Sequence, residues 1–429
     1  MKAKPTCNRA SLPSRNKLCA IRMKKGHLSD YFEGVAVKEL SLVETNSLRS
    51  HQHEFHANRE LITLLGRCED TEKRFLPSTF LYLNDDENAR IAVEGELTWY
   101  DARAKARIER GINRSEYRLY FPSNEVIKRM NAGDLFFLAK RSKGRWLVLI
   151  VERNTSMAQQ LLWLFGMDER PQFSMIIQES DAMDSRPLEY STSFILNKLG
   201  IEVTVTDNHL QEMLTLFGSQ FPPTKEFSEF CRSKCKHISP IDSPSDEVLT
   251  AWMLQEEQMF LTLEKHILQE RISQGFASVE DFIQTSLSAQ NRRKSRAGAA
   301  LENHVECILN ARRIPHAWGA NTEGKSKPDF LFPGSKEYHD PAFPATSLHM
   351  LGVKSTCKDR WRQVLAEADK IKIKHLLTLE PGISQDQTDE MKIKNLQLVI
   401  PAGLHDSYSH SQRNWLLTLD DFLAIVQIV

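Results

Sequence analysis

The sequence predicts a multidomain chain with a mostly β N-terminal half and an α/β C-terminal half. Three observations carry that reading. Short runs rich in β-branched and aromatic residues, parted by turn residues, fill the stretch from 31 to 170. Helical periodicity dominates from Glu247 to Leu287. Beyond Lys327, short apolar runs alternate with helical stretches, the pattern of an α/β layer.

Composition allows this and excludes several classes. A chain of 429 residues can bury the cores of two or three domains. With 41% apolar and 26% charged residues it is an ordinary globular mixture, not a coiled coil or a disordered chain. The longest apolar runs, such as Leu147 to Val151, are too short to span a bilayer, and the basic N-terminus lacks the apolar stretch of a secretory signal. Seven scattered cysteines, an odd number without paired spacing, fit a reducing compartment. A soluble cytoplasmic protein without a membrane partner is expected. Cys231, Cys235 and His237 lack a second ligand pair nearby and read as a surface helix rather than a zinc site. The 56 basic and 56 acidic residues cancel, but the basic ones cluster at 15–25, 103–118, 292–296 and 354–362. Nucleic-acid binding depends on such patches and not on the sum.

Residues 1–30, basic and rich in Ser, Asn and Pro, read as a loose arm. Residues 31–170 form the β-rich domain. Strands are expected at Thr79–Leu83, Arg90–Trp99, Tyr117–Phe121, Leu135–Ala139 and Trp146–Val151, with a closing helix at Gln159–Phe165. Their spacing suggests a barrel or sandwich. Residues 171–217, with Pro171, Pro187 and a mixed polar stretch, read as a hinge. Residues 218–429 form the second domain. Leu249, Trp252, Met253 and Phe260 mark one helix face there, a core face by its spacing.

The residues that carry chemistry begin with a helix over Ser295–Leu309, whose stripe is Leu301, Val305, Ile308 and Leu309. Glu302 beside that stripe can point along the helix toward a neighbouring site. Pro328 holds the chain extended into a short strand over Asp329–Phe332. Leu348–Lys354 reads as a second buried strand that ends on a lysine. A helix over Asp359–Ile371 turns Trp361, Val364, Leu365 and Ala368 inward, and Glu367 borders that face. Strands at Lys374–Leu379 and Leu396–Ile400 complete the layer.

Asp329, Lys354 and Glu367 are the residue types that phosphodiester hydrolysis needs. Carboxylates hold Mg²⁺, a hard ion that prefers oxygen. The metal polarises the phosphate and lowers the pKa of an attacking water. A lysine positions that water and offsets developing charge. Such sites usually run Pro-Asp, a gap, then an acidic residue, any residue and Lys. Here the acidic slot holds Gly352. Glu367 supplies the carboxylate from the next helix, because position in space matters and not order in sequence. The plainer reading of the pair alone is that Asp329 caps a turn and Lys354 is a solvated strand end.

Longer matches sharpen this. Asn291 to Gly298, Lys327 to Pro333, Tyr338-His339-Asp340 and Val353 to Gln363 closely resemble the catalytic domain of the EcoRII family of type II restriction endonucleases, from about residue 218 nearly to the C-terminus. The resemblance implies a PD-(D/E)XK fold with its glutamate moved to the helix. It implies Asp329, Lys354 and Glu367 as the catalytic set, with Lys358 and Tyr338 in the same region. Asp329 and Glu367 are expected to hold Mg²⁺, with Glu302 as a third carboxylate from the preceding helix. The resemblance further implies that Lys358, Asp359 and Arg360 read C·G pairs, since a cation donates to guanine and an aspartate accepts from cytosine N4. The lesser reading of Asp359 is a helix N-cap, and Arg362 reads equally as a phosphate contact. Arg292, Arg293, Lys294 and Arg296 are further expected DNA contacts. A CCWGG-like palindrome in double-stranded DNA, a homodimer to match its two-fold symmetry, and a cognate methyltransferase also follow from the resemblance.

The N-terminal half resembles the family's DNA-binding pseudobarrel more weakly, through Trp99 to Arg103, Arg114 to Arg118 and Gly133 to Phe136. Arg103, Lys105, Arg107 and Arg114 form a basic stretch suited to phosphate and groove contacts. Binding of a second DNA site there would control cutting. The alternative is a catalytically inactive or modification-dependent DNA-binding protein on the same fold, an idea that Gly352 keeps open.

Overall fold

The computed structural model describes residues 28–45, 53–69, 71–86, 89–111, 113–142, 144–167, 176–179, 190–201, 203, 209–324, 326–357 and 360–427. The expected N-terminal arm, but for its last residues, lies outside them, as does much of the expected hinge.

The N-terminal half is built on one eight-stranded sheet. Its strands are β1 (Phe32–Glu39), β2 (Glu54–His56), β3 (Lys73–Leu83), β4 (Ile91–Asp101), β5 (Tyr117–Tyr120), β6 (Leu135–Arg141), β7 (Trp146–Val151) and β8 (Ile176–Glu179). The order across the sheet is β2-β5-β4-β3-β7-β6-β1-β8. Neighbours run antiparallel except β3 and β7. At β6 and β7 the sheet is buried on both faces, which is why these strands read as unbroken apolar runs. Leu135, Phe137, Leu147 and Leu149 enter one core, and Phe136, Leu138, Val148 and Ile150 the other. Helix α1 (Ala104–Arg110) follows β4, so the expected basic loop is helical. It stops at Gly111, whose left-handed φ of 63° a side chain would resist.

Helix α2 (Ser156–Leu164) packs on this sheet and starts from Thr155, whose hydroxyl caps the Ala158 amide. Within the stretch read as a hinge lies α3 (Tyr190–Lys198). Ile195 and Leu196 of α3 enter the N-terminal core, and Tyr190 enters the C-terminal one.

Beyond a short helix over Leu210–Phe217 come α4 (Thr224–Lys234), α5 (Ser245–Gln274) and α6 (Val279–Ala311). The expected amphipathic helix over Ser295–Leu309 is the C-terminal part of α6. Cys231 and Cys235, at the end of α4, are buried. The C-terminal sheet has five strands: β9 (Ala317–Trp318), β10 (Phe330–Phe332), β11 (His349–Val353), β12 (Lys374–Leu377) and β13 (Leu396–Val399), in the order β13-β12-β11-β10-β9. Strands β11, β12 and β13 run parallel, while β10 is antiparallel to β11. Helices α7 (Ser335–His339), α8 (Trp361–Leu365) and α9 (Leu419–Gln427) pack around it. Helix α8 is much shorter than the expected Asp359–Ile371, and Ala368 beyond it has a left-handed φ of 51°. No helix of the described residues is long and apolar enough to cross a membrane.

The two halves touch through buried polar groups. Gln160 donates to Glu380 (3.3 Å) and to the Pro381 carbonyl (3.0 Å), and Lys198 donates to Glu380 (3.1 Å). The other oxygen of Glu380 accepts the Cys357 amide at 2.6 Å, just beyond β11.

Candidate active site

Asp329 and Lys354 meet because β10 and β11 pair with Phe330 opposite Leu351. That register sets Asp329, at the mouth of β10, beside the end of β11. Oδ2 of Asp329 accepts both the Val353 amide and the Lys354 ammonium, each at 2.6 Å. The Lys354 amide donates to the Leu377 carbonyl (3.0 Å), so the lysine leaves the sheet still tied to β12. The side chains of both are largely shielded from water. A charge-assisted pair in such surroundings is stronger than its surface counterpart.

Glu367 arrives from the other side, on the turn after α8. Its amide donates to the Val364 carbonyl at 3.2 Å. Burial pushes its carboxyl up to about 7; the Lys354 cation opposes this, and the negative charge of Asp329 adds to it. Its Oε2 is buried and has no hydrogen-bond partner among the described residues. Glu302 of α6 joins the group. Its carboxyl is raised by burial and then by the charge of Asp329, with Lys354 opposing. The Trp318 indole donates to it at 3.3 Å. The structure thus brings Asp329, Lys354, Glu367 and Glu302 into one electrostatic unit.

Gly352 leaves no room for the acidic residue usual at its position. A Cβ there would lie 2.9 and 3.0 Å from the two methyl groups of Val364 on α8. The helix that carries Glu367 toward the site fills the space that a side chain at 352 would need.

Other expected site residues fall differently. Tyr338 is not exposed to a substrate: it is 1% exposed, and its phenol donates to Glu323. Its ring lies behind the turn of Glu367, where its hydroxyl accepts the Lys370 amide (3.3 Å). Arg296, expected to contact DNA, is 6% exposed and paired with Glu256 and Glu257 on α5, because burial of a guanidinium demands partners. Arg293 is bound to Glu264 (2.5 Å), and Arg292 lies over the ring of Phe221. Lys294 is exposed on α6. Arg360 is exposed at the head of α8, while Arg362 pairs with Glu390 (2.8 Å) and lies over Trp361. Lys358 and Asp359 lie outside the described residues. In the N-terminal half, Arg107 pairs with buried Asp101, and Arg103 with Glu116 (2.6 Å). Lys105 and Arg114 are exposed.

Among the described residues no group of three or more His, Cys, Asp or Glu side chains stands ready as a metal cage. The donor types still suit a hard cation. Carboxylates of Asp329, Glu302 and Glu367 share one charge environment, and Glu367 keeps an unpartnered buried oxygen. Sequence reasoning missed Glu323 and Lys374, which hold the Glu367 turn. A lysine opening a strand gives no sign that its charge is buried.

A profile of the EcoRII C terminal matches residues 260–423. The type II restriction enzyme EcoRII of Escherichia coli is 32% identical over 401 residues, spanning 92% of this chain and 94% of that protein. Among solved structures, metal-depleted Ecl18kI in complex with uncleaved DNA is 21% identical over 51% of this chain and 83% of its own, with a TM-score of 0.40. The restriction endonuclease PspGI–substrate DNA complex is 16% identical over 52% of this chain and 98% of its own, with a TM-score of 0.41.

Proposed function

The chain belongs to the EcoRII family of type II restriction enzymes, site-specific deoxyribonucleases, and on that premise we propose that it cuts a CCWGG-like palindrome with Mg²⁺ at Asp329, Lys354 and Glu367. The observation that carries this is the Asp329–Lys354 contact of 2.6 Å beside the buried, unpartnered oxygen of Glu367.

Each side chain has a defined task in this reading. Asp329 and Glu367 would hold the ion, with Glu302 as a third carboxylate. When bound, Mg²⁺ supplies Lewis acidity toward the scissile phosphate. Lys354 is held by its ammonium contact with Asp329. It orients the attacking water and balances negative charge as it develops on phosphorus. Burial removes competing water and strengthens each of these interactions. In this reading Gly352 does not argue for a dead site, because Glu367 would supply the missing carboxylate.

Lys358, Asp359 and Arg360 would read base edges, with Lys105 and Arg114 of the N-terminal half on a second copy of the site. A PD-(D/E)XK domain over 218–429 and a DNA-binding pseudobarrel over 31–170 would correspond to the two sheets, with 171–217 as a connector that lends β8 to the first sheet and α3 to both cores. A homodimer would match the two-fold symmetry of a palindrome. A methyltransferase of the same specificity would protect the host. The buried contacts of Gln160 and Lys198 with Glu380 favour control of cutting by the N-terminal half.

The test is Asp329→Ala. Cleavage should vanish while cognate DNA is still bound in a gel-shift assay. Cutting at the parent rate would remove Asp329 from the site.

A further inference from the structure

The turn that carries Glu367 is held from several directions at once. The Ala366 carbonyl accepts the Ser326 hydroxyl at 3.4 Å. The Asp369 amide donates to Glu323 (3.1 Å), and the Lys370 amide to the Tyr338 hydroxyl (3.3 Å). The Lys370 ammonium reaches the Tyr338 carbonyl at 2.6 Å. The central contacts come from Lys374, the first residue of β12. Its ammonium donates to the carbonyl of Glu367 and to that of Ala368 (3.1 Å).

This use of a lysine is unusual. Lys374 is 8% exposed, and its partners are two backbone carbonyls. The acidic groups facing it are Asp369, Glu323 and Glu367. Burying an ammonium is costly unless its donors are satisfied. Ala368, between the two halves of the clamp, adopts a left-handed φ of 51°, which a non-glycine residue holds only under constraint. The constraint falls at the residue directly after the glutamate.

We propose that Lys374 is a positioning residue for the cutting site: its ammonium, bound to the Glu367 and Ala368 carbonyls, fixes the reversed turn from which the Glu367 carboxylate enters the Asp329–Lys354 site. Tyr338 and Glu323 brace the same turn from outside. The inference rests on the reading of Glu367 as an ion-holding carboxylate. Lys374 acts only through that carboxylate and does not touch DNA.

The experiment compares Lys374→Met, Lys374→Arg, Glu367→Gln and the Lys374→Met/Glu367→Gln double variant in the full chain. The readouts are single-turnover cleavage, cognate DNA affinity in EDTA, and Mn²⁺ binding followed by electron paramagnetic resonance of the free ion. Misplacing a group by about 1 Å costs roughly 100-fold in rate, so Lys374→Met should cut about 100-fold more slowly, with DNA affinity in EDTA unchanged and Mn²⁺ bound more weakly. In the Glu367→Gln background the same change should weaken Mn²⁺ binding no further, because two residues acting as a unit are not additive. Lys374→Arg keeps the charge and donors and should recover part of the rate; it is the variant to read if the methionine form does not fold. Additive losses of Mn²⁺ binding, a parallel loss of DNA affinity, or parent-like cutting by Lys374→Met with Glu367→Gln dead would overturn the role of Lys374. Parent-like cutting by Glu367→Gln would instead overturn the reading of Glu367.

Discussion

Gly352 and Val364 lie so close that no side chain fits between them. A Cβ on Gly352 would be 2.9 Å from one methyl group of Val364, which sits three residues before Glu367. The slot that usually holds an acidic residue and the helix that presents its substitute exclude each other. Restoring the usual motif should therefore do harm. Gly352→Asp should lower stability by about 1–3 kcal/mol through overpacking and slow cutting by displacing α8. Thermal unfolding and a single-turnover assay check this. An equally stable and faster enzyme would contradict it.

The raised carboxyl of Glu367 gives a pH signature in EDTA. Its ordinary value is 4.5 and its value in the fold is about 7. A group raised on folding favours the folded state fully below its unfolded value, and that contribution is lost as pH rises through the folded one. Between about pH 4.5 and 7 this group should therefore erode stability. Glu367→Gln, which removes the titration, should melt higher than the parent at pH 8, and the difference should shrink toward pH 5. A constant difference across that range would contradict the assignment.

Two arginines that look alike in sequence should behave oppositely. Arg296 is buried between Glu256 and Glu257, so Arg296→Ala should cost roughly 3–5 kcal/mol, the range for breaking a buried pair. Exposed Arg360 should tolerate alanine in the fold but lose cognate DNA affinity. Chemical denaturation and fluorescence anisotropy separate the two.

Control by the N-terminal half predicts that a truncated chain beginning at residue 218 cuts single-site DNA faster than the full chain. Such a truncation also removes Tyr190 from the C-terminal core. A second truncation, beginning just before α3, keeps that contact and should be the more stable. Equal rates for truncated and full chains on single-site DNA would reject autoinhibition.

The sheets were largely legible in the sequence. Strands β6 and β7 announce themselves as continuous apolar runs because both faces of the sheet are covered. Strand β1 escaped, since Glu33-Gly34 at its start and Lys38-Glu39 at its end leave only Val35-Ala36-Val37 as an apolar run. The pairing of Asp329 with Lys354 followed from a proline-led strand and its lysine-ended neighbour. The end of α8 did not, because nothing local in Ala366 to Lys370 shows that distant Glu323, Tyr338 and Lys374 will stop the helix. Charge partners were equally hidden. Arg107 and Arg296 read as exposed cations until the fold supplies Asp101, Glu256 and Glu257.

The central claim is an Mg²⁺-dependent cutting site at Asp329, Lys354 and Glu367. Its most direct test is to incubate the purified protein with plasmids carrying no, one or several CCWGG sites, with Mg²⁺ or EDTA, and to sequence the ends. The account predicts discrete cuts at those sites with Mg²⁺ alone, faster on several sites than on one, and none from Asp329→Asn. Cuts that persist in EDTA or in Asp329→Asn, or no cleavage of any plasmid, would contradict it.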